Sequence, residues 1–250
     1  MRDRDRASRR NECRRHGGTM TAERSVSVVI PVYNGERYVA DAIESVLRQS
    51  APPVQVLVVD DGSTDATAAV VRAFTPRVKY HLQENMGAAT ARNTGIGLTT
   101  GTFVAFLDAD DRWHADKLKK QLEAAEKQSD LAMIFCRVDE FLSPDSELAR
   151  SGGVQIRKSF PAFLPSGLLA KREAFGRIGL FATDYGIGEF IDWYARAIDA
   201  GLEGVVLPDS LLERRIHDAN QGVTKRDSYA SEYLRILKKT LDRRRAKQGN

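Results

Sequence analysis

The chain predicts an α/β fold: a mostly parallel sheet covered by helices on both faces, followed by a smaller region. Apolar runs alternate with segments of helical spacing through the first 140 residues, and most of the runs are apolar on both faces. Strands of that kind belong to parallel sheets whose crossover helices bury both sides. Three polar clusters fall where strands end, which is where such sheets bind ligands.

Taken in order, "VSVVIPV" (26–32) is the first strand, and a helix follows over 36–49 with Val39, Ile43, Val46 and Leu47 at helical spacing. "VQVLVVD" (54–60), "VKYHL" (78–82), "TFVAFLD" (102–108) and "LAMIFCRV" (131–138) read as further strands. The segments 65–74, 87–98 and 114–128 between them read as helices. Residues 139–163, rich in Ser, Pro and Gly, read as a long loop of the kind that is more often functional than idle. Helices near 171–177 and 189–200 and short strands near 203–207 and 211–216 complete the body. The organisation expected is a disordered basic arm (1–24), a first half (25–140), a second half (141–224) and a basic C-terminal helix (225–250).

At 250 residues and 42% hydrophobic, the chain can bury one large core, or one core with a small appendage. It has no run of ~18 uncharged apolar residues, the length that spans a bilayer. Its first residues lack the apolar stretch of a secretory signal. Cys136 reads as a small buried hydrophobe and Cys13 lies in the polar arm, so no disulfide framework is expected and a cytoplasmic location fits. The net charge of +4 divides unevenly: residues 1–19 carry +4, residues 225–250 carry +6, and the body between them carries −6. An acidic body argues against a nucleic-acid partner. Met20 stands just before the first strand, so residues 1–19 read as an upstream extension.

The polar clusters are "PVYNGE" (31–36), "DDGSTD" (60–65) and "DADD" (108–111). Each alone has a structural reading. "DGSTD" is a good turn and helix cap, and "YNGE" is a turn. "DADD" can cap the helix that starts near His114. Together at one edge they point to a ligand. Asp108 and Asp110 straddle one residue and, if extended, point the same way. Like charges so close want a cation, and a hard divalent ion such as Mg²⁺ or Mn²⁺ takes oxygen ligands and bridges to phosphates.

"VSVVIPVYNGERYVADAIESVLRQS", "VLVVDDGSTDAT", "ENMGAATARNTGI" and "GTFVAFLDADDRW" resemble, in order and spacing, the four nucleotide-sugar blocks of family-2 glycosyltransferases. The resemblance is dense over 25–140 and looser over 165–220. It implies the GT-A fold, Rossmann-like in its sheet, with a nucleotide-diphosphate sugar donor, a divalent metal (Mn²⁺ or Mg²⁺) and inversion through in-line attack. UDP is the expected nucleotide. By the same resemblance Pro31, Tyr33, Asn34 and Glu36 line the nucleoside pocket, Asp61 binds the base and Asp60 supports it. Arg92 sits near the nucleotide, Asp108 and Asp110 meet ribose and metal–diphosphate, and Asp111 is an extra metal ligand.

"GEFIDWYARAIDAGLEGVVLP" resembles the family's acceptor-side block, usually Glu-Asp-x-Asp-Trp. Anchored on Asp192 and Trp193, Glu189 keeps the first place, but Phe190 stands where the usual catalytic aspartate belongs. Glu189 and Asp192 are three apart on one helix and both border the acceptor on this reading, with Glu189 preferred as base; a surface acidic pair is the structural alternative. In "RRIHDANQG" (214–222), His217 resembles the C-terminal histidine that completes the metal site. The expectation is a metal-dependent glycosyltransferase. The acceptor stays open among a glycan, a lipid-linked glycan, a peptide and a small molecule. A nucleotide-sugar-binding protein without turnover is the alternative that Phe190 encourages. A nucleotidyltransferase is disfavoured, since no Gly- and Lys-rich triphosphate loop follows the first strand. In the tail, Tyr233, Leu234, Leu237 and Leu241 share a helical face that can pack on the domain, pair two copies or lie on a membrane as a peripheral contact.

Overall fold

The computed structural model describes residues 24–144, 146–152, 154–161, 163–220 and 226–248. Apart from Arg24, the arm expected over 1–24, with Cys13 and Met20, lies outside the described residues. Strand β1 (Val26–Val32) is buried along its whole length and lies between β2 (Gln55–Asp60) and β4 (Phe103–Phe106), parallel to both. β3 (Lys79–Leu82) extends this sheet beyond β2, again in parallel. Parallel neighbours need crossovers, which α1 (Val39–Leu47), α2 (Thr67–Arg72) and α3 (Ala88–Leu98) supply.

The pleat of β1 feeds two cores. Val28 and Ile30 join Ile43, Val46 and Leu118 on one face, while Val29 joins Ala91, Ile96 and Phe106 on the other. That is why the strand has no polar alternation. Helix α3 lies close against the sheet because residue 95 is glycine, where a Cβ would collide with the side chain of Val29.

The second half adds β5 (Arg112–Trp113), β6 (Leu131–Leu142), β7 (Phe160–Pro161), β8 (Leu169–Lys171) and β9 (Glu203–Ile216). The sheet runs β3-β2-β1-β4-β8-β6-β9-β5, with β7 against β6. β8 is antiparallel to both β4 and β6, so β6 and its parallel partner β9 run in the direction of β1, β2 and β4. With β3, six strands therefore deliver their carboxyl ends to one edge. Helices α4 (Lys117–Lys127), α5 (Glu147–Ser151), α6 (Arg172–Ile178), α7 (Glu189–Asp199) and α8 (Arg226–Gln248) complete the chain.

Two expectations are corrected here. The loop expected over 139–163 begins as strand, because β6 runs on to Leu142 and pairs with β9 as far as Ile216. Its polar end is tolerated because Glu140 is neutralised by Arg157 and Arg214. The two short strands expected near 203–207 and 211–216 are one. Pro208-Asp209 reads as a break, but the register jumps from Phe135↔Val206 to Arg137↔Ser210, so proline sits in a bulge that needs no ladder N–H.

Candidate active site at the carboxyl edge of the sheet

The loops after β1 and β2 are tied into one unit by the residues that the sequence singles out. Asn34, at φ 48, receives the N–H of Thr64 on Oδ1 and donates its own N–H to Ser63 Oγ at 2.9 Å. Glu36 Oε2 accepts the N–H of Ala66 at 2.7 Å, and Asp65 Oδ2 takes the N–H of Glu36 in return. Burial works against the charge on Asp65, but bonds from Thr67 and Glu36 hold its pKa below the usual carboxylate value.

Asp60 and Asp61 are both buried. Asp60 accepts from Ser63 N–H and from the hydroxyl of Tyr80 at 2.7 Å. Burial, then this bond, pushes the Tyr80 phenol up to about 12, which keeps it a donor. Asp61 accepts from Gln83 Nε2 and from the backbone N–H groups of Met86 and Gly87, between 2.7 and 3.0 Å. Four of the expected nucleoside-pocket residues therefore already have protein partners, and what they build is a rigid rim. Pro31 is buried within β1, while Tyr33 is 53% exposed with its ring free to meet a ligand.

Sequence reasoning missed Gln83. Its Oε1 is buried without a partner beside Asp61, the residue expected to bind the base. The only available signal was its place just after β3.

The DADD segment is a turn rather than an extended pair, closed by Asp111 N–H to Asp108 O at 3.0 Å. The turn sends its carboxylates to different partners. Asp108 Oδ1 meets Arg92 at 2.7 Å, and the same buried guanidinium reaches Glu189 Oε1 at 2.6 Å. Arg92 thus joins the ends of β4 and α7, leaving its own Nε buried without a partner.

Asp110 Oδ2 lies 3.0 Å from His217 Nε2 and accepts from Asn220 Nδ2 at 3.1 Å. Ala219 N–H points at His217 Nδ1, which assigns the imidazole proton to Nε2. A carboxylate oxygen and an imidazole nitrogen meeting there suit a divalent ion that takes the place of this proton. Among the described residues no group of three or more His, Cys, Asp or Glu forms a metal cage. Two protein groups would then hold such an ion, with its other positions left to water and phosphate oxygens, as Mg²⁺ sites often have them.

Asp111 is the residue expected as an extra metal ligand. It is buried and its Oδ1 takes the backbone N–H of Arg215 on β9. Burial, then the neighbouring Asp110 and Asp108, raise its pKa well above the usual carboxylate range.

Arg215 and Tyr38 were not foreseen either, although Arg215 stands two residues before His217. The Arg215 guanidinium lies 4.5 Å above the Tyr38 ring, donates to the Asp110 carbonyl and pairs with Asp41. His217 lies against the same ring at 4.9 Å. One tyrosine ring therefore supports both the imidazole and the arginine that holds the turn.

On α7 the two acids part company. Glu189 faces Arg92, whereas Asp192 is buried between Arg196 Nε at 2.8 Å and Arg243 at 3.1 Å. The expectation that both border an acceptor finds only Glu189 beside the other site residues. Phe190 is core, packed edge-on to Phe135 and stacked with Trp193. A groove of about 860 Å³ opens at the other end of β4, between Thr100, Phe103, Arg172 and Phe175, away from all these groups.

With this geometry in hand, the comparisons are specific. The model of the family described as glycosyl transferase family 2 matches residues 27–175. TuaG of Bacillus subtilis, named for teichuronic acid biosynthesis, is 46% identical over 102 residues, which are 39% of this chain and 40% of TuaG. ExoO of Rhizobium meliloti, a succinoglycan biosynthesis protein, is 37% identical over 158 residues, 59% of this chain and 44% of ExoO. The matched part is thus under half the length of these two relatives. Among solved structures, TarS 1-349 of S. aureus in complex with UDP-GlcNAc gives a TM-score of 0.66 at 19% identity, covering 78% of this chain and 60% of that one. That likeness shows the fold, and the GT-A expectation for the sheet is met.

Proposed function

The chain belongs to glycosyl transferase family 2, and from that premise we propose that it transfers one sugar from a UDP-sugar to an acceptor, with inversion and with Mn²⁺ or Mg²⁺ as cofactor. The observation that carries this reading is the meeting of Asp110 and His217, 107 residues apart in sequence, at the edge where six strands end. Asp110 and His217 would hold the ion, and Asn220 orients the carboxylate. When bound, the ion supplies positive charge against the departing diphosphate. UDP as the nucleotide is supported by the ligands of TarS. A glycan under construction is the acceptor that the relatives' names favour.

The chain's own residues do the rest. Tyr33 covers a face of the base. Glu189 is the proposed base: Arg92 fixes one of its oxygens and leaves the other to take the acceptor proton. Asp192 orients α7 through its two arginines.

A binding protein without turnover is the second reading, because Phe190 fills the place of the usual aspartate. A panel of nucleotide sugars with and without Mn²⁺, scored for thermal stabilisation and slow donor hydrolysis, separates the two. Metal-dependent hydrolysis of a UDP-sugar is expected. Stabilisation without hydrolysis favours the binder, and no response to any nucleotide sugar sinks both.

A further inference from the structure

Helix α8 has two faces with opposite fates. Its inner face is fastened to the domain: Ile236 and Thr240 are buried, and Arg235 and Lys239 reach Asp184. Arg243 reaches Asp192, and Arg244 Nε meets Asp199 at 2.7 Å. The leucines expected to share a packing face are not on that side. Leu234, Leu237 and Leu241 are 67%, 54% and 43% exposed, three side chains in a row along two turns. Lys238 and Arg245 flank them without an acidic partner among the described residues, and Arg244 stays half exposed beside them. Among the described side chains, Asp242 is the one acid on this flank.

An apolar ridge with cationic borders has few physical uses. A pairing of two copies through the ridge would bring the Lys238 and Arg245 borders of both helices together. The stripe is also too short for a coiled coil, which needs about three to four heptads, because Arg244 and Arg245 end it. An anionic bilayer meets both halves of the pattern: the leucines enter the interface and the basic side chains reach the headgroups. No helix of the described residues is long and apolar enough to cross a membrane, so the contact is a surface one.

We propose that α8 is a docking helix for an anionic membrane surface, with Leu234, Leu237 and Leu241 inserted and Lys238 and Arg245 on the phosphates. The body, at −6 over residues 20–224, is repelled by such a surface, which turns the ridge toward it and the body away. The inner face then has a consequence. Ile236 Cδ1 lies 2.6 Å from where a Cβ on Gly188 would sit, and Gly188 precedes Glu189. A bilayer under the ridge therefore lies about one helix diameter, ~10 Å, from the start of α7. The proposal does not depend on the donor chemistry and is tested apart from it.

The test is flotation of the full chain with vesicles of phosphatidylcholine alone or mixed with phosphatidylglycerol, at low and physiological salt. Wild type should float with the anionic vesicles, less so at higher salt, and stay behind with phosphatidylcholine. L234Q/L237Q/L241Q and K238E/R245E should each lower the bound fraction about tenfold or more. Melting temperatures should hold, since every substituted side chain is exposed. Equal partition of wild type onto both vesicle types, or onto neither, overturns the proposal. So does a dimer in light scattering that the leucine variant abolishes, which would give the ridge to a second copy.

Discussion

Two stretches of the same sheet edge use their acids in opposite ways. After β1 and β2, the carboxylates of Glu36, Asp60, Asp61 and Asp65 take backbone N–H groups, most of them from their own or the adjoining loop. After β4 and at the start of α7, Asp108, Asp110 and Glu189 meet side chains from distant segments: a guanidinium and an imidazole. Backbone bonds are permanent and fix shape. Side-chain ion pairs at a partly open edge can be exchanged for a ligand's charges. The first region should therefore answer mutation with lost stability, the second with lost binding or turnover.

The largest effect is expected at Asp110. Asp110→Ala removes one of the two groups proposed for the ion and leaves the core untouched. Calorimetry with Mn²⁺ should show metal-dependent UDP binding abolished at an unchanged melting temperature. UDP affinity equal to wild type would sink the metal assignment.

Glu189 and Asp192 sharpen the contrast within a single helix. Glu189→Gln should lower transfer, or donor hydrolysis if no acceptor is known, by about two to four orders of magnitude with donor affinity nearly unchanged. Asp192→Asn should instead cost about 1–3 kcal/mol of stability, because Arg196 and Arg243 lose the carboxylate between them. Lost turnover in Asp192→Asn at full stability, with Glu189→Gln active, would reverse the two roles.

The first region was the more legible one in sequence, and the reason is local. β1, β2 and β4 announce themselves because a strand buried on both faces has no room for polar residues, and their loops bond mainly to one another. The end of β6 and the middle of β9 were hidden because Asp139, Glu140 and Pro208 are poor strand residues until distant partners neutralise or bypass them. The site divides likewise. His217 was found by resemblance, and the structure brings it to Asp110. The Arg92 bridge to Glu189 spans 97 residues, and nothing in either segment predicts the other. The outward turn of the leucines on α8 was invisible too, since periodicity says which residues share a face but not which way the face looks.

Asp61 tests the first region directly. Asp61→Asn sets an amide NH₂ against donors that now find a carboxylate, and should cost about 1–3 kcal/mol in urea unfolding. Weakened UDP binding at unchanged stability would mean that this carboxylate serves the ligand first, and the contrast between the regions would fail there.

Lys117 gives the smallest effect and a third kind of buried charge, one with neither carboxylate nor backbone partner. It is fully buried, donates to Gln121 Oε1 at 2.9 Å and lies 4.0 Å above the Trp113 ring. Burial pushes its pKa down to about 8 from 10.5. Below pH 8 the folded protein carries this charge at a cost on the order of 3 kcal/mol. Between pH 8 and 10.5 the folded state gives up the proton while the unfolded state still holds it, so this group's contribution to stability rises with pH. Lys117→Met removes the cost but strands Gln121 Oε1, which takes back about 1–3 kcal/mol. The net gain at pH 7 should be ~1 kcal/mol by urea unfolding, and the difference from wild type should shift against the variant as pH rises toward 10.5, because wild type gains there and methionine does not titrate. The Cys136 thiol, whose pKa burial raises and the Lys117 charge lowers, is coupled to this lysine, so the comparison is made with Cys136→Ala in both proteins and the difference between them then reports on Lys117. A difference that does not change with pH would show that Lys117 keeps its proton inside the fold.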